Sequence, residues 1–450
     1  MSQVVDDELQ LLDVRAPLSR IVLILPLLFA IITSWFVVRW YIGDTIAEYS
    51  PPLEDGGIDI ARSAQRFAPD DPVTHWSLAT VLKNSLEPAQ LQESLKEFEE
   101  AVSLSPNDYR YWVDLGRARS QAGDLAGAEK ALRQAVTLAP GYSYPRWYFG
   151  NVLLREGKTD EAFAELRKAA DSESSLRPQI FNLATHIYGD DIEAIKNVLG
   201  GEAEARAQLV TYLISRNRVD DAMRVWASLS PSEKTSEKAT TDALMKVLLS
   251  AKRFKSALAV FRENNPAEAG NAEIGTVLNP SFEEDIHESG KSPFGWQIRS
   301  APPQLQIALD TSVVHGGQRS LRVVFKTTSQ LAFNNISQLL VTDPSTQYRL
   351  EFWAKTDQLK SVGTPLVEIV DAVTGNVIGK SEALHVDSSD WKAVSIDFKT
   401  GASTEAVMLR TNRSTCGTEA AVCPIFGVVW YDDFSLQRTS GNNSTGTGKS

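Results

Sequence analysis

Residues 21–38, IVLILPLLFAIITSWFVV, form an unbroken apolar run without a charge. About 20 residues of helix cross a bilayer core. The run therefore predicts a transmembrane helix over 21–42, bracketed by Arg20 and Arg39 and followed by the interfacial aromatics Trp40 and Tyr41. A cleaved signal peptide or a buried core helix would also be apolar, but the run is long for a signal sequence and no small-x-small cleavage site follows it. Pro26 is tolerable inside a membrane helix. Residues 1–20 read as a cytoplasmic segment and 43–57, rich in Pro, Gly and acid, as a linker. Over 58–265 the apolar positions recur at helical spacing. A second linker, 266–275, ends that pattern. Short β-branched and aromatic runs then appear at 305–310, 319–326, 347–356, 366–372, 391–399, 405–411 and 425–436, separated by turn signals such as His315-Gly316-Gly317 and Thr374-Gly375-Asn376. Many short strands over 276–437 predict a sandwich or jelly roll. The tail, 438–450, is Ser/Gly/Asn-rich and reads as disordered.

The helical region repeats. Residues 109–142 and 143–176 align without gaps, 34 positions apart: Leu115-Gly116 with Phe149-Gly150, Gly123 with Gly157, Ala128 with Ala162, Leu132 with Leu166, Ala135 with Ala169. Small residues sit where two helices would cross, glycines sit in the turn between them, and Pro106 and Pro140 end the second helix of a pair. Weaker units flank these. One begins near Pro72 and carries extra residues around 86–92, while 58–69, 220–231 and 254–266 each look like the second helix of a pair. Residues 177–202 depart from the pattern. The two aligned units resemble the tetratricopeptide repeat. That resemblance implies a superhelix of stacked hairpins whose concave face binds a peptide or another protein. Its groove positions fall on Val113, Arg117, Trp147, Asn151 and Arg155, each of which has a solvated or packing role as its alternative.

The net charge of −12 excludes the basic footprint that nucleic-acid binding needs. Arg15 and Arg20 before the span, against Arg39 alone just after it, weakly favour a cytoplasmic N-terminus and an exported bulk. The two cysteines, Cys416 and Cys423, lie in one loop. They suit a small-loop disulfide of an oxidising compartment, with two free thiols as the alternative. The expectation is a single-pass protein of a bacterial inner membrane whose C-terminal bulk is periplasmic or otherwise extracytoplasmic.

The last strand reads VVWYDDFSL, 428–436. Strict alternation places Val428, Trp430, Asp432, Phe434 and Leu436 on the apolar face and Tyr431, Asp433 and Ser435 on the other. A carboxylate on an apolar face needs a partner. The order LNPSFEE (278–284), Gly295-Trp296, GGQRSLRV (316–323), YRLEFWAKT (348–356), Trp391 and VWYDDFSL resembles the galactose-binding-like jelly roll of carbohydrate-binding modules. The resemblance implies a structural calcium held by Glu283 and Asp432 with carbonyls near Gly317 and Ser320, Glu284 and Asp433 being the fallback ligands. Calcium prefers several hard oxygens. The alternative is that Asp432 pairs with a base such as Arg319 or accepts backbone N–H bonds. The resemblance also places Trp296, Trp391 and Trp430 in the core. On 348–356, Tyr348, Leu350, Phe352 and Ala354 share an apolar face, and Arg349, Glu351, Trp353 and Lys355 share the other. Trp353, with Glu351 and Arg349 beside it, is the candidate sugar-stacking residue; burial under a loop or another domain is the alternative.

No catalytic constellation emerges. His75, His186, His287, His315 and His385 lack metal-ligand spacing, and no HExxH, Walker or Rossmann pattern occurs. Ser389-Asp390-Trp391-Lys392 matches S-x-x-K but lacks the helix and companion motifs of that chemistry. The sequence thus predicts a multidomain chain: a transmembrane helix, an all-α tetratricopeptide-repeat superhelix, and an all-β jelly-roll sandwich. It reads as a non-enzymatic envelope scaffold that binds a protein and a glycan, in polysaccharide assembly or export. The alternatives are an assembly factor with a purely protein-binding sandwich, and an unrecognised glycan hydrolase, which would need two facing carboxylates in a cleft.

Overall fold

The computed structural model describes residues 17–49, 56–84, 87–265, 272–286, 292–299, 301–327, 331–414, 416 and 422–439. Most of the predicted N-terminal segment, residues 266–271 of the second linker, His287 and the tail from 440 lie outside them. The chain divides into two compact units, Met1–Gly201 and Glu202–Ser450. The division falls at the end of the stretch where the repeat pattern lapses, and not at 266–275.

In the first unit, α1 (Pro17–Tyr49) is followed by α2 (Gly57–Phe67) and the hairpins α3 (Pro72–Lys83) with α4 (Pro88–Leu104), α5 (Tyr109–Gln121) with α6 (Leu125–Leu138), α7 (Ser143–Arg155) with α8 (Thr159–Ser172), and the shorter α9 (Arg177–Tyr188) with α10 (Ile192–Leu199). Asp71, Asp108 and Asp124 cap α3, α5 and α6 with side-chain acceptors. Gly150 sits where α7 crosses α8: a Cβ there would lie 2.6 Å from Leu166 Cγ. The helix Arg20–Tyr49 has mean hydropathy 2.7 over its most apolar window, none of it buried, and is long and apolar enough to cross a membrane. α1 does not stop at 42. It enters the segment predicted as a linker and packs there, with Gly43 and Ala47 buried. Ser77 Oγ donates to the Ala47 carbonyl at 3.3 Å and Arg39 to that of Arg66 at 2.6 Å.

A buried histidine joins α3 to α4. His75 Nδ1 lies 2.6 Å from Glu97 Oε2 and Nε2 lies 2.7 Å from the Pro69 carbonyl. The Gln65 amide nitrogen also lies 3.2 Å from Nδ1 while donating to Glu97 Oε2 at 2.8 Å, but the carboxylate is nearer and, with the Pro69 carbonyl, favours the doubly protonated imidazolium. Burial pulls the His75 pKa down, but the hydrogen bonds to Glu97 and Pro69 and the charges of Glu97 and Glu100 outweigh it and leave it above 6.5. A raised folded-state pKa means that this contribution is fully present below pH 6.5 and is lost as pH rises through the folded value. The thermal midpoint of the helical unit, read by circular dichroism, should therefore fall above pH 6.5, and His75→Gln should flatten that slope.

The second unit opens with α11 (Ala203–Ser215), α12 (Val219–Ala227), α13 (Pro231–Ser236), α14 (Lys238–Ser250) and α15 (Phe254–Asn264). Two five-stranded antiparallel sheets follow. One has the order β1 (Gln297–Ile298), β4 (Ile336–Val341), β9 (Ala406–Arg413), β6 (Pro365–Asp371), β7 (Val377–Lys380). The other runs β2 (Leu305–Asp310), β3 (Ser320–Thr327), β10 (Ile425–Arg438), β5 (Gln347–Lys360), β8 (Asp387–Lys399). Their facing sides share one core, to which Leu321 and Phe325, Ile336 and Leu340, Tyr348, Leu350 and Phe352, Ile369 and Leu409 all belong. The helices and the sandwich are continuous within this unit. Lys255 Nζ pairs with Asp343 Oδ1 at 2.7 Å, and the Phe261 and Phe294 rings are 5.4 Å apart. The described end of the second linker packs too: Ala272 is buried and Gly275 N donates to Val341 O at 2.8 Å. Cys416 and Cys423 form a disulfide.

Candidate functional site

In the first unit, the successive first helices α3, α5 and α7 line a concave cavity of about 450 Å³. Lys83 and Asn84 come from the end of α3, Arg117, Ser120 and Gln121 from α5, and Tyr148, Asn151, Val152 and Arg155 from α7. Arg117 donates to Asp114 Oδ1 at 2.9 Å and lies 4.6 Å from the centre of the Tyr148 ring. Arg155 reaches back one hairpin to donate to the Ser120 carbonyl at 2.9 Å. Asn151 donates to the Trp147 carbonyl at 2.7 Å. Burial and the Tyr144 hydroxyl push the Tyr148 pKa up to about 12, so its phenol stays neutral.

Arg117, Asn151 and Arg155, which the tetratricopeptide-repeat resemblance placed on a groove, line this cavity together. Val113 does not. It is buried, packs in the core with Phe149 and Leu153, and is not among the residues that line the cavity. Trp147 is half-buried on α7 and does not line the cavity. Lys83, Ser120, Gln121 and Tyr148 were missed. A signal existed for Gln121, which occupies the repeat position of Arg155, as Asn84 beside Lys83 does once the extra residues around 86–92 are allowed for.

In the sandwich, strict alternation fails at the two aspartates. The β10–β5 register shifts between Asp432 and Ser435, and Asp433 has φ +47°. This bulge turns the strand over. Before it, Val429 and Tyr431 face the core; after it, Phe434 and Leu436 do. Trp430 and Asp432 therefore lie on the outer face, where Asp432 pairs in register with Trp353. The loop between β2 and β3 folds over that face and buries Asp432 completely. Asp432 Oδ2 accepts the N–H groups of His315 at 2.9 Å and Gly316 at 3.3 Å, and Oδ1 accepts that of Asp433 at 2.9 Å. Glu283 Oε1 accepts the N–H groups of Gln318 at 2.7 Å and Arg319 at 3.1 Å. Asp433 takes Ser281 Oγ and His315 Nδ1, both at 2.6 Å. Burial, reinforced by the Asp433 charge, raises the Asp432 pKa against the pull of these amides.

The opening segment, the glycine loop and the closing strand do converge, as the calcium expectation required. Their carboxylates, however, face donors. Asp432 Oδ2 and Glu283 Oε1 each already hold two backbone N–H groups, which a cation would have to displace. This donor set does not fit calcium, and among the described residues no group of three or more His, Cys, Asp or Glu side chains is placed to hold a metal ion.

Trp353 is half-buried, and the His315 ring stacks on it at 3.9 Å and 17°. One ring face is therefore covered by the loop. Arg349 is tied to Asp397 at 2.7 and 2.8 Å, and Glu351 stands exposed beside it on β5. Trp296 lies in the core, but Trp391 is half-buried with its ring edge-on to His315, and Trp430 donates to Asp310 on the outer face at 2.9 Å.

A family model described as tetratricopeptide repeat matches residues 109–142, the α5–α6 hairpin, so the chain carries such a repeat. Superkiller protein 3 of Saccharomyces cerevisiae is 27% identical over 94 residues, 21% of this chain and 7% of that protein, so the chain spans a small part of that relative's length. Among solved structures, MamA from Desulfovibrio magneticus RS-1 is 13% identical, with 43% of this chain and 91% of that chain covered and a TM-score of 0.28. A structure described as "CBM4 structure and function" is 15% identical, with 36% and 99% covered and a TM-score of 0.28. Both are partial likenesses, and neither bears on function.

Proposed function

We propose that this protein is a non-enzymatic, membrane-anchored scaffold of a bacterial envelope whose helical groove receives a segment of a partner protein. The cavity shared by α3, α5 and α7 carries the reading. Three consecutive hairpins present charged, amide and phenolic groups to one concave space, which is how stacked helical repeats bind extended chains. The apolar α1 supplies the anchor, and the disulfide suits an exported C-terminal bulk. The jelly-roll reading of the sandwich, with Trp353 as a glycan platform in polysaccharide assembly or export, is the lesser part of the proposal, because His315 already covers one face of that ring. The test is photo-crosslinking of the full-length chain in its native membrane. A photoreactive residue replacing Gln121 in the cavity should yield a discrete adduct, and one replacing Lys130, exposed on α6, should not. Equal yields at both positions, or none at Gln121, would remove the groove from the function.

A further inference from the structure

A half-buried guanidinium lies beside the disulfide. Arg413 ends β9. Its Nε donates to the Gly363 carbonyl at 2.9 Å and its Nη1 to that of Leu331 at 3.0 Å. Nη1 and Nη2 also donate to the Cys423 carbonyl, at 3.3 and 3.2 Å, and Nη2 to Ser361 Oγ at 3.0 Å. Nη2 lies 3.1 Å from Cys423 Sγ. These partners are all neutral, and among the described residues no carboxylate pairs with Arg413. Burial pulls its pKa down. A cation held away from water by neutral acceptors alone is an incomplete charge arrangement, and a thiolate on Cys423 would complete it. The two sulfurs also differ in access. Cys423 is 5 % exposed and touches the guanidinium, whereas Cys416 is half-buried. Thiol–disulfide exchange depends on which sulfur is attacked and on how readily the other leaves. A neighbouring arginine favours the thiolate form of a cysteine. Here the more accessible sulfur and the better leaving group are different atoms of one bond.

We propose that Cys416–Cys423 is an exchangeable disulfide, at which a small thiol adds to Cys416 while Arg413 holds Cys423 as a thiolate. The incoming thiol gives its proton to solvent, and its thiolate attacks Cys416 Sγ. A new S–S bond forms to Cys416, the Cys416–Cys423 bond breaks, and Cys423 keeps the electron pair. The incoming sulfur is oxidised to the disulfide level and Cys423 is reduced, so no further oxidant is consumed. Return of the Cys423 thiolate to Cys416 expels the small thiol and restores the bond, which makes the modification reversible. A small thiol fits better than a protein thiol because the bond is walled in. Arg413 covers Cys423, and the Gly363 backbone lies so near that a Cβ there would be 3.1 Å from Cys416 Sγ and 3.2 Å from Cys423 Sγ. The site is independent of the helical groove.

The experiment treats the oxidised full-length protein, in a zwitterionic detergent, with glutathione. Samples are quenched in acid over time and their free thiols are alkylated. A protease that cuts after Glu419 then puts Cys416 and Cys423, the two cysteines of the chain, on separate peptides for mass spectrometry. Early samples should carry glutathione on Cys416 and the alkyl group on Cys423. Losing one charge-assisted hydrogen bond in Arg413→Gln should slow adduct formation about tenfold. Arg413→Lys, which keeps the charge, should be slowed less. Arg410→Gln, on the same strand but paired with Glu368, should react as the wild type does. A circular dichroism melt identifies a variant that has merely failed to fold, and the position of the wild-type adduct then still decides. An adduct on Cys423, adducts shared equally by both cysteines, no adduct at any time, or a folded Arg413→Gln chain that reacts as fast as the wild type or faster would overturn the proposal.

Discussion

Asp432→Ala should lower the stability of the second unit by at least about 3 kcal/mol, because it orphans the buried donors it holds, each worth roughly 1–3 kcal/mol when left unmade. Those donors are the amides of His315, Gly316 and Asp433. With them goes the register of the loop that carries His315 onto Trp353. For a unit of this size the calorimetric midpoint should fall by roughly 10 °C, at a few degrees per kcal/mol. Asp432→Asn keeps one oxygen and turns an amide N–H₂ toward one donor, so its loss should be about half as large. Gly317→Ala attacks the same clasp from the other side. Gly317 has φ +61°, and a Cβ there would collide with the Glu283 carboxylate. The same scan settles the metal question, since a chelator should leave the wild-type midpoint where it is. A fall on adding chelator, reversed by calcium, would mean that a cation displaces these amides.

The clasp also shows what alternation along a strand can and cannot tell. The inward face of β5, Tyr348, Leu350, Phe352 and Ala354, was legible because that stretch is regular as far as Ala354 and pairs without a shift to β8. β10 was not, since a bulge at adjacent aspartates reverses every later side chain, and no residue type announces it as Gly or Asn would. Trp391 was misplaced, and Trp430, though buried as expected, sits outside the core shared by the two sheets, for a related reason. Large aromatics suggest a core, whereas here the β2–β3 connection, TSVVHGGQR, folds back to make a second, shallow layer on the outer face. In the repeats, small residues at crossings and glycines in turns fixed the hairpins, and Arg117, Asn151 and Arg155 followed. Val113 failed because one turn along the same helix separates the groove from the core. Lys83 was hidden by the inserted residues that break the repeat spacing. The packing of α1 beyond its apolar run was illegible because it depends on Gly43 meeting a partner helix in space.

That packing sets the last expectation. Gly43→Leu should detach the end of α1 from the first hairpins. A Cβ at 43 would lie 2.6 Å from Ala68 Cβ and 2.9 Å from both the Ala64 carbonyl oxygen and the Ala68 nitrogen, so backbone, and not a mobile side chain, would have to yield. Overpacking of this kind costs about 1–3 kcal/mol, comparable to what a short docked segment gains. Spin labels introduced by Glu48→Cys and Asp70→Cys in the full-length chain should give a narrow distance distribution in the otherwise native protein and a broad one in Gly43→Leu. Under the proposed anchoring, the consequence is mechanical. A helix end that packs on α2 and α3 cannot swivel freely, so the groove keeps a fixed orientation to the bilayer and meets partners from one side. A distribution that stays narrow in Gly43→Leu would show that the junction tolerates the side chain and that Arg39, Ala47 and Ser77 hold it without a close helix approach.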